Sequence, residues 1–341
     1  MPDGDDISIE EKRVYAGSAG RTDVYVASAD GLVRVAVSGD KVGHFSMVAD
    51  VSARDVSVLP RSNAPDLLGV ATGEDLLVAT IEGDDPTFES AGIGASTAVG
   101  LTRRARDGAA PREESGTRMG RDGGAFLAAA DDGEIVLVGA DSGDGEAGAP
   151  SLDVTLASVG TVTDPRAVDA GMIAAGDGVY RTAGLGSEAI ESGAKNGGTG
   201  RRLEHVGLSD VRDVAGAGVP LAGTAEGLYW LANGWRDAID GPIDVVAADG
   251  EGHALAAGPQ NLRVHRGHEW GEESWDQSDL PVDGAVTALG YGPGLAIAVT
   301  DGGALCVDAG DGWRHQIVGV RDVSGIAVRP VDSTSGDRSR P

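Results

Sequence analysis

One short pattern recurs seven times along the 341-residue chain: an apolar run ending in small residues, a tight acidic or glycine-bearing turn, then a second apolar run. The copies read VYVASADGLVRV, LLGVATGEDLLVATI, FLAAADDGEIVLV, MIAAGDGVYRTA, PLAGTAEGLYWLA, LAAGPQNLRVH and LAIAVTDGGALCV. Aligned on the second turn residue they fall at Gly31, Asp75, Gly133, Gly178, Gly227, Asn261 and Gly303, in steps of 44, 58, 45, 49, 34 and 42 residues. A mean step near ~45 residues is the spacing of propeller blades. Length alone would suggest two domains, but the repeat makes one ring of seven units.

Each hairpin is flanked by two weaker strand-like runs, giving four strands per repeat. After Glu226-Gly227 come Leu228 to Leu231, Trp235 to Ile239, and Ile243 to Ala247 opening the next unit. Four short antiparallel strands per repeat predict an all-β seven-bladed propeller rather than a helical solenoid. Turns of type I′ are expected, because Asp-Gly, Gln-Asn and Gly-Gly tolerate positive φ at both central positions. Glu74-Asp75 and Glu226-Gly227 fit that rule less well, so longer turns are expected there. The first repeat lacks an innermost strand, while Val323 to Arg329 follows the last hairpin without one of its own. Pairing this C-terminal strand with Val24 to Ala29 closes the ring and removes an open edge. The arm Ser8 to Tyr15 is an extra strand with no assigned place.

One domain is therefore expected over residues 1–330, with two interruptions in the third repeat. Residues 103–121 carry six arginines, and 141–150 are rich in Gly, Asp and Ala. Both, like the tail 331–341, have the composition of mobile segments.

The arm and first hairpin, ISIEEKRVYAG and VYVASADGLVRVAVSGD, resemble an uncharacterised β-propeller family of halophilic archaea. That resemblance implies a fold and a lineage and brings no active site with it. DAGDGWRHQ at 308–316 resembles the Asp-box turns of sialidase-like propellers but lacks their leading Ser or Thr, and such a box is a folding element.

Charge points the same way. The chain has 54 acidic and 27 basic residues, a formal charge of −27, and only Lys12, Lys41 and Lys195 as lysines. In dilute buffer such charge opposes compaction, whereas molar salt shortens the Debye length to about 3 Å and screens it. The acidity is spread along the chain rather than gathered in a tail, which fits halophily better than a dedicated basic partner. Nucleic-acid binding is not expected, because phosphate contact needs a basic face. A single cysteine, Cys306, excludes an intramolecular disulfide or a cysteine metal cluster. The acidic start lacks signal-peptide architecture, and no apolar run approaches the roughly 18 residues of a membrane span. A cytoplasmic monomer with no membrane contact is the expectation.

Strong chemical motifs are missing: no GxSxG, HExxH, Walker loop or CxxC is present. His265-Arg266-Gly267-His268-Glu269 has metal-ligand residue types, but exposed loop histidines are the plainer reading and no metal or cofactor is expected. Trp235, Trp270 and Trp313 should cover seams between blades, and Cys306 should be a buried small hydrophobe.

One element recurs with the fold. Arg54-Asp55-Val56, Arg212-Asp213-Val214 and Arg321-Asp322-Val323 each precede an innermost strand, with partial copies at Arg166 and Asp244-Val245. Because strand direction alternates, these pairs share a face with the hairpin turns, near the channel mouth. They form either a ring of interblade ion pairs or a polar mouth for a partner's charged group. Arg54, Asp55, Arg212, Asp213, Arg321 and Asp322 are thus the candidate binding residues. The expected function is a non-catalytic interaction scaffold with a protein partner. The rival is a hydrolase or lyase acting on a small molecule at the channel mouth, with residues drawn from several blades.

Overall fold

A computed structural model describes residues 20–62, 64–83, 86–102, 124–144, 150–183, 202–259 and 261–331. These form seven four-stranded antiparallel sheets, each following the order of the chain from inner to outer strand except the first. The inner strands are Val323–Val331 in blade 1, then Ala53–Leu59, Ser96–Leu101, Pro165–Asp169, Val211–Ala215, Val245–Ala248 and Val286–Gly292 in blades 2 to 7. The ring closes as the repeat requires. Val323–Val331 pairs antiparallel with Arg21–Ser28, setting Val24 opposite Val328 and Ser28 opposite Val323.

The apolar runs read as continuous because each blade is covered on both faces. Val24 and Val26 face the blade 7–1 seam, while Tyr25 and Ala27, one step out of phase, face the blade 1–2 seam. This is the two-residue period of a strand serving two cores at once. Among the described residues there are seven buried clusters, one per seam. Fully burying one of their Val or Leu side chains contributes about 1.5–3 kcal/mol. Some seams need glycine: a Cβ on Gly100 of blade 3 would strike the Val168 carbonyl of blade 4.

The turns differ from expectation. None of the central residues of the hairpins at 29–30, 131–132, 176–177 and 301–302 has positive φ. Positive φ falls instead on the glycine just after the turn, at Gly31, Gly133, Gly178 and Gly303. Gly133 and Gly303 donate their N–H to the carbonyls of Ala130 and Thr300, both at 2.9 Å, so glycine re-aims the outgoing strand as a bulge. A buried hydroxyl closes three of the loops. Ser28, Thr72 and Thr224 donate to the carbonyls of Gly31, Asp75 and Gly227 at 2.7, 2.7 and 3.0 Å. These Ser/Thr turns make φ > 0 at the centre unnecessary.

Residues 141–144 and 150 extend two paired strands of blade 3, with Asp141 opposite Asp153 and Asp144 opposite Pro150. The arm at 8–15, the arginine-rich segment 103–121, residues 145–149 and the tail from 332 lie outside the described residues. No helix among the described residues is long and apolar enough to cross a membrane.

Candidate functional site

The inner strands enclose a central channel of about 880 Å³. Its upper mouth, at the strand starts, is built by a repeated irregularity. In six blades an extra residue bulges from the inner strand near its start. The bulged residues are Arg54, Thr97, Arg166, Arg212, Thr287 and Ser324, and each lines the channel. Four reach the following blade. Arg54 donates to the Ser96 carbonyl at 3.4 Å and to both Asp131 carboxylate oxygens at 2.8 and 2.9 Å. Arg166 donates to Asp210 at 2.7 Å and to the Val211 carbonyl at 3.2 Å. Arg212 pairs with Asp244, and Ser324 donates to the Ala53 carbonyl at 3.1 Å. The Arg54 and Arg166 guanidiniums hold Asp131 and Asp210 below the ordinary carboxylate range. These are solvent-facing pairs, so they set register more than they add stability.

The next residue carries a second staple, deeper in the channel. Asp55 accepts the N–H of Val56 at 2.8 Å and that of Val99, in blade 3, at 2.9 Å. Asp213 repeats the arrangement with Val214 at 2.8 Å and Val246, in blade 6, at 2.7 Å. Asp169, at the lower end of its strand, accepts the N–H of Gly216 in blade 5 at 2.7 Å. Each carboxylate shows some surface to the channel but is walled by inner strands. Burial pushes Asp55 and Asp213 up to about 7, against the pull of two N–H donors apiece. Burial raises Asp169 as well.

Four of the six candidates therefore meet at the channel, and two do not. Arg321 and Asp322 are exposed and precede the blade 1 strand; Asp322 sits at φ 51° and the Arg321 N–H bonds Asp30 at 3.0 Å. Ser324 and Gly325 take the places that Arg54 and Asp55 hold in blade 2, three residues further along. A matching tripeptide does not reveal where the bulge lies. Sequence reasoning also missed Asp169, which has no arginine before it and lies at the opposite end of its strand.

The histidine cluster does not form a loop site. His265 is completely buried, stacked on Trp270 with centroids 4.0 Å apart and planes at 12°. Its Nδ1 and Nε2 lie 3.0 and 2.6 Å from the carbonyls of Gly252 and Glu269. The exposed-loop expectation fails for it because Trp270 and Trp275 fold over the ring. His268 is exposed. Among the described residues no group of three His, Cys, Asp or Glu side chains is placed to hold a metal. Trp235 and Trp313 do cover seams, donating to the Val206 carbonyl at 2.8 Å and to Ser278 at 2.9 Å in the preceding blades. Burial pushes the Cys306 thiol up to about 11, which keeps it inert.

A family profile, described as a HVO_0234-like β-propeller, matches residues 8–329. The chain belongs to this family. The match runs from the arm into the closing strand. No curated protein matches the sequence. Among solved structures, that of BBS1N in complex with ARL6DN is 13% identical, covering 85% of this chain and 87% of that one with a TM-score of 0.50. The computationally designed Ika8 protein is 14% identical, covering 89% and 86% with a TM-score of 0.47. Apo AztD from Citrobacter koseri is also 14% identical, covering 89% and 84% with a TM-score of 0.43. The first of these likenesses shows the fold alone.

Proposed function

We propose that this family member is a non-catalytic interaction scaffold that docks a protein with a basic surface on its upper face. One observation carries the reading: six of the seven hairpin turns on that face present an exposed carboxylate. They are Asp30, Glu74, Asp132, Asp177, Glu226 and Asp301 in blades 1 to 5 and 7. The arginines at the centre of the face are already engaged by Asp131, Asp210 and Asp244. The field offered to a partner is thus set by the outer carboxylates. A net charge of −27 with three lysines supports a salt-rich cytoplasm as the setting. Long-range steering is screened there, so contact must come from close Arg–carboxylate pairs.

Photo-cross-linkers attached at Glu74→Cys and Glu226→Cys, with Asn233→Cys on the lower face as control, test this in a lysate held in molar KCl. A cross-linked protein appearing from both upper positions, and lost when Asp30 and Asp132 are changed to Lys, is the expected result. Adducts formed equally from Asn233→Cys, or none from the upper positions, overturn the docking face.

A further inference from the structure

The seventh hairpin breaks the ring of carboxylates on the upper face. Blade 6 carries Gly258, Pro259 and Asn261 there, and all three line a cavity of about 320 Å³ at the seam with blade 5. Its apolar walls are Ile239, Pro242, Ile243 and Pro259, and its charged groups are Asp240 and Arg263. The crossover between the two blades is held from both sides. The N–H groups of Gly241 and Ile243 donate to the carbonyls of Glu226 and Thr224 in blade 5, both at 2.9 Å. The N–H of Asp244 donates to the Ala257 carbonyl in blade 6 at 2.8 Å. A Cβ on Gly258 would strike the Pro242 carbonyl, so glycine lets the hairpin close onto the crossover. The cavity is therefore formed before any occupant arrives, and binding has little left to order.

Arg263 stands opposite Ala256 in its sheet, and Ala256 belongs to the core between blades 5 and 6, so the arginine faces that seam. It is half-buried, and among the described residues it has no ion-pair partner, unlike Arg54, Arg166 and Arg212. Its guanidinium donors are thus left for an acceptor brought from outside. Asp240 and Glu226 are exposed beside it. We propose that this cavity seats one leucine-sized side chain from an extended basic segment of the docking partner. The inference rests on the docking reading above and names the partner's anchor. Its volume lies at the lower end of ligand pockets, about 300 Å³, which suits one large side chain and the main chain around it. Arg263 donates to the main-chain carbonyl beside that side chain, while Asp240 and Glu226 take the flanking arginines. An acidic segment would satisfy Arg263 but meet both carboxylates. An apolar anchor in a preformed pocket, rimmed by polar contacts, is where binding energy concentrates.

The peptide acetyl-Arg-Leu-Arg-amide tests this with the full chain in molar KCl, its affinity read from saturation transfer to the leucine methyls. Binding is expected, about tenfold weaker in Arg263→Gln. It should be lost in Asn261→Trp, which puts a bulky ring on the cavity lining, and unchanged in Asn233→Trp on the lower face. Acetyl-Arg-Ser-Arg-amide and acetyl-Glu-Leu-Glu-amide, followed through their own protons, should each bind at least about tenfold more weakly. Melting temperatures show that the variants are folded. No transfer to the leucine peptide, or equal transfer in folded Asn261→Trp, overturns the anchor. Equal binding of the glutamate peptide overturns the basic segment. Cross-links from Glu74→Cys and Glu226→Cys that persist undiminished with Asn261→Trp also overturn the anchor while leaving the docking face standing. Peptide binding without those cross-links supports the cavity and removes the docking face instead.

Discussion

Asp75 shows how much a single turn residue can organise. It looked like a poor turn former, yet its carboxylate accepts the Ser90 hydroxyl and the N–H groups of Leu76, Gly92, Ile93 and Gly94. Burial opposes its charge, but these donors outweigh it and lower the Asp75 carboxyl below its ordinary range. A depressed carboxylate contributes stability above its unfolded value and loses it as pH falls through the folded one. Asp75→Asn should therefore cost about 2 kcal/mol at neutral pH, because several donors lose a charged acceptor. The difference from wild type should shrink in acid, as read by denaturant melts from pH 7 down to 3. The hydroxyls of Ser28, Thr72 and Thr224 were equally hidden in the sequence. Their position just before each turn is visible, but whether a hydroxyl turns back onto the loop depends on its burial.

At the scale of the strand, period and turn spacing made blade number and ring closure legible. The bulge was not. It is a mismatch between paired strands, and it decides which residue of an Arg-Asp-Val element faces the channel. Arg54-Asp55 and Arg212-Asp213 fall on it, whereas Arg321-Asp322 ends before it. The lower-mouth residues were illegible for another reason: Asp169, Asp249 and Tyr291 come from three blades and share no motif. The buried carboxylates beside the bulges give a pH signature opposite to that of Asp75. Asp55 and Asp213 are raised from 3.8 to about 7. Their protonated forms thus favour the folded state, with stability fully present below the unfolded value and lost as pH rises through about 7. Asp55→Asn and Asp213→Asn should flatten this decline between pH 4 and 7. An unchanged stability–pH curve in the double variant would remove these groups as its source.

For the whole molecule, charge and ring act against each other. Seven seam cores hold the blades together while a formal charge of −27 pushes outward. Unfolding temperature should rise steeply with KCl between tenths of molar and several molar as repulsion is screened. A temperature indifferent to salt over that range would separate this acidity from adaptation to brine.

The clasp in blade 1 also imposes a schedule on synthesis. Arg21–Ala49 leaves the ribosome well before its inner neighbour, which begins only at Val323. At about 5–20 residues per second the open edge of Arg21–Ser28 waits roughly a quarter of a minute to a minute for its partner. Throughout that interval a nascent chain presents a strand-accepting edge to its neighbours on the same message. A chain ending at Asp322 should keep that edge permanently and self-associate, and a peptide spanning Val323–Val331 added in trans should return it to a monomer on size-exclusion chromatography in molar KCl. The last strand thus acts as the release signal from a long period of exposure to swapping.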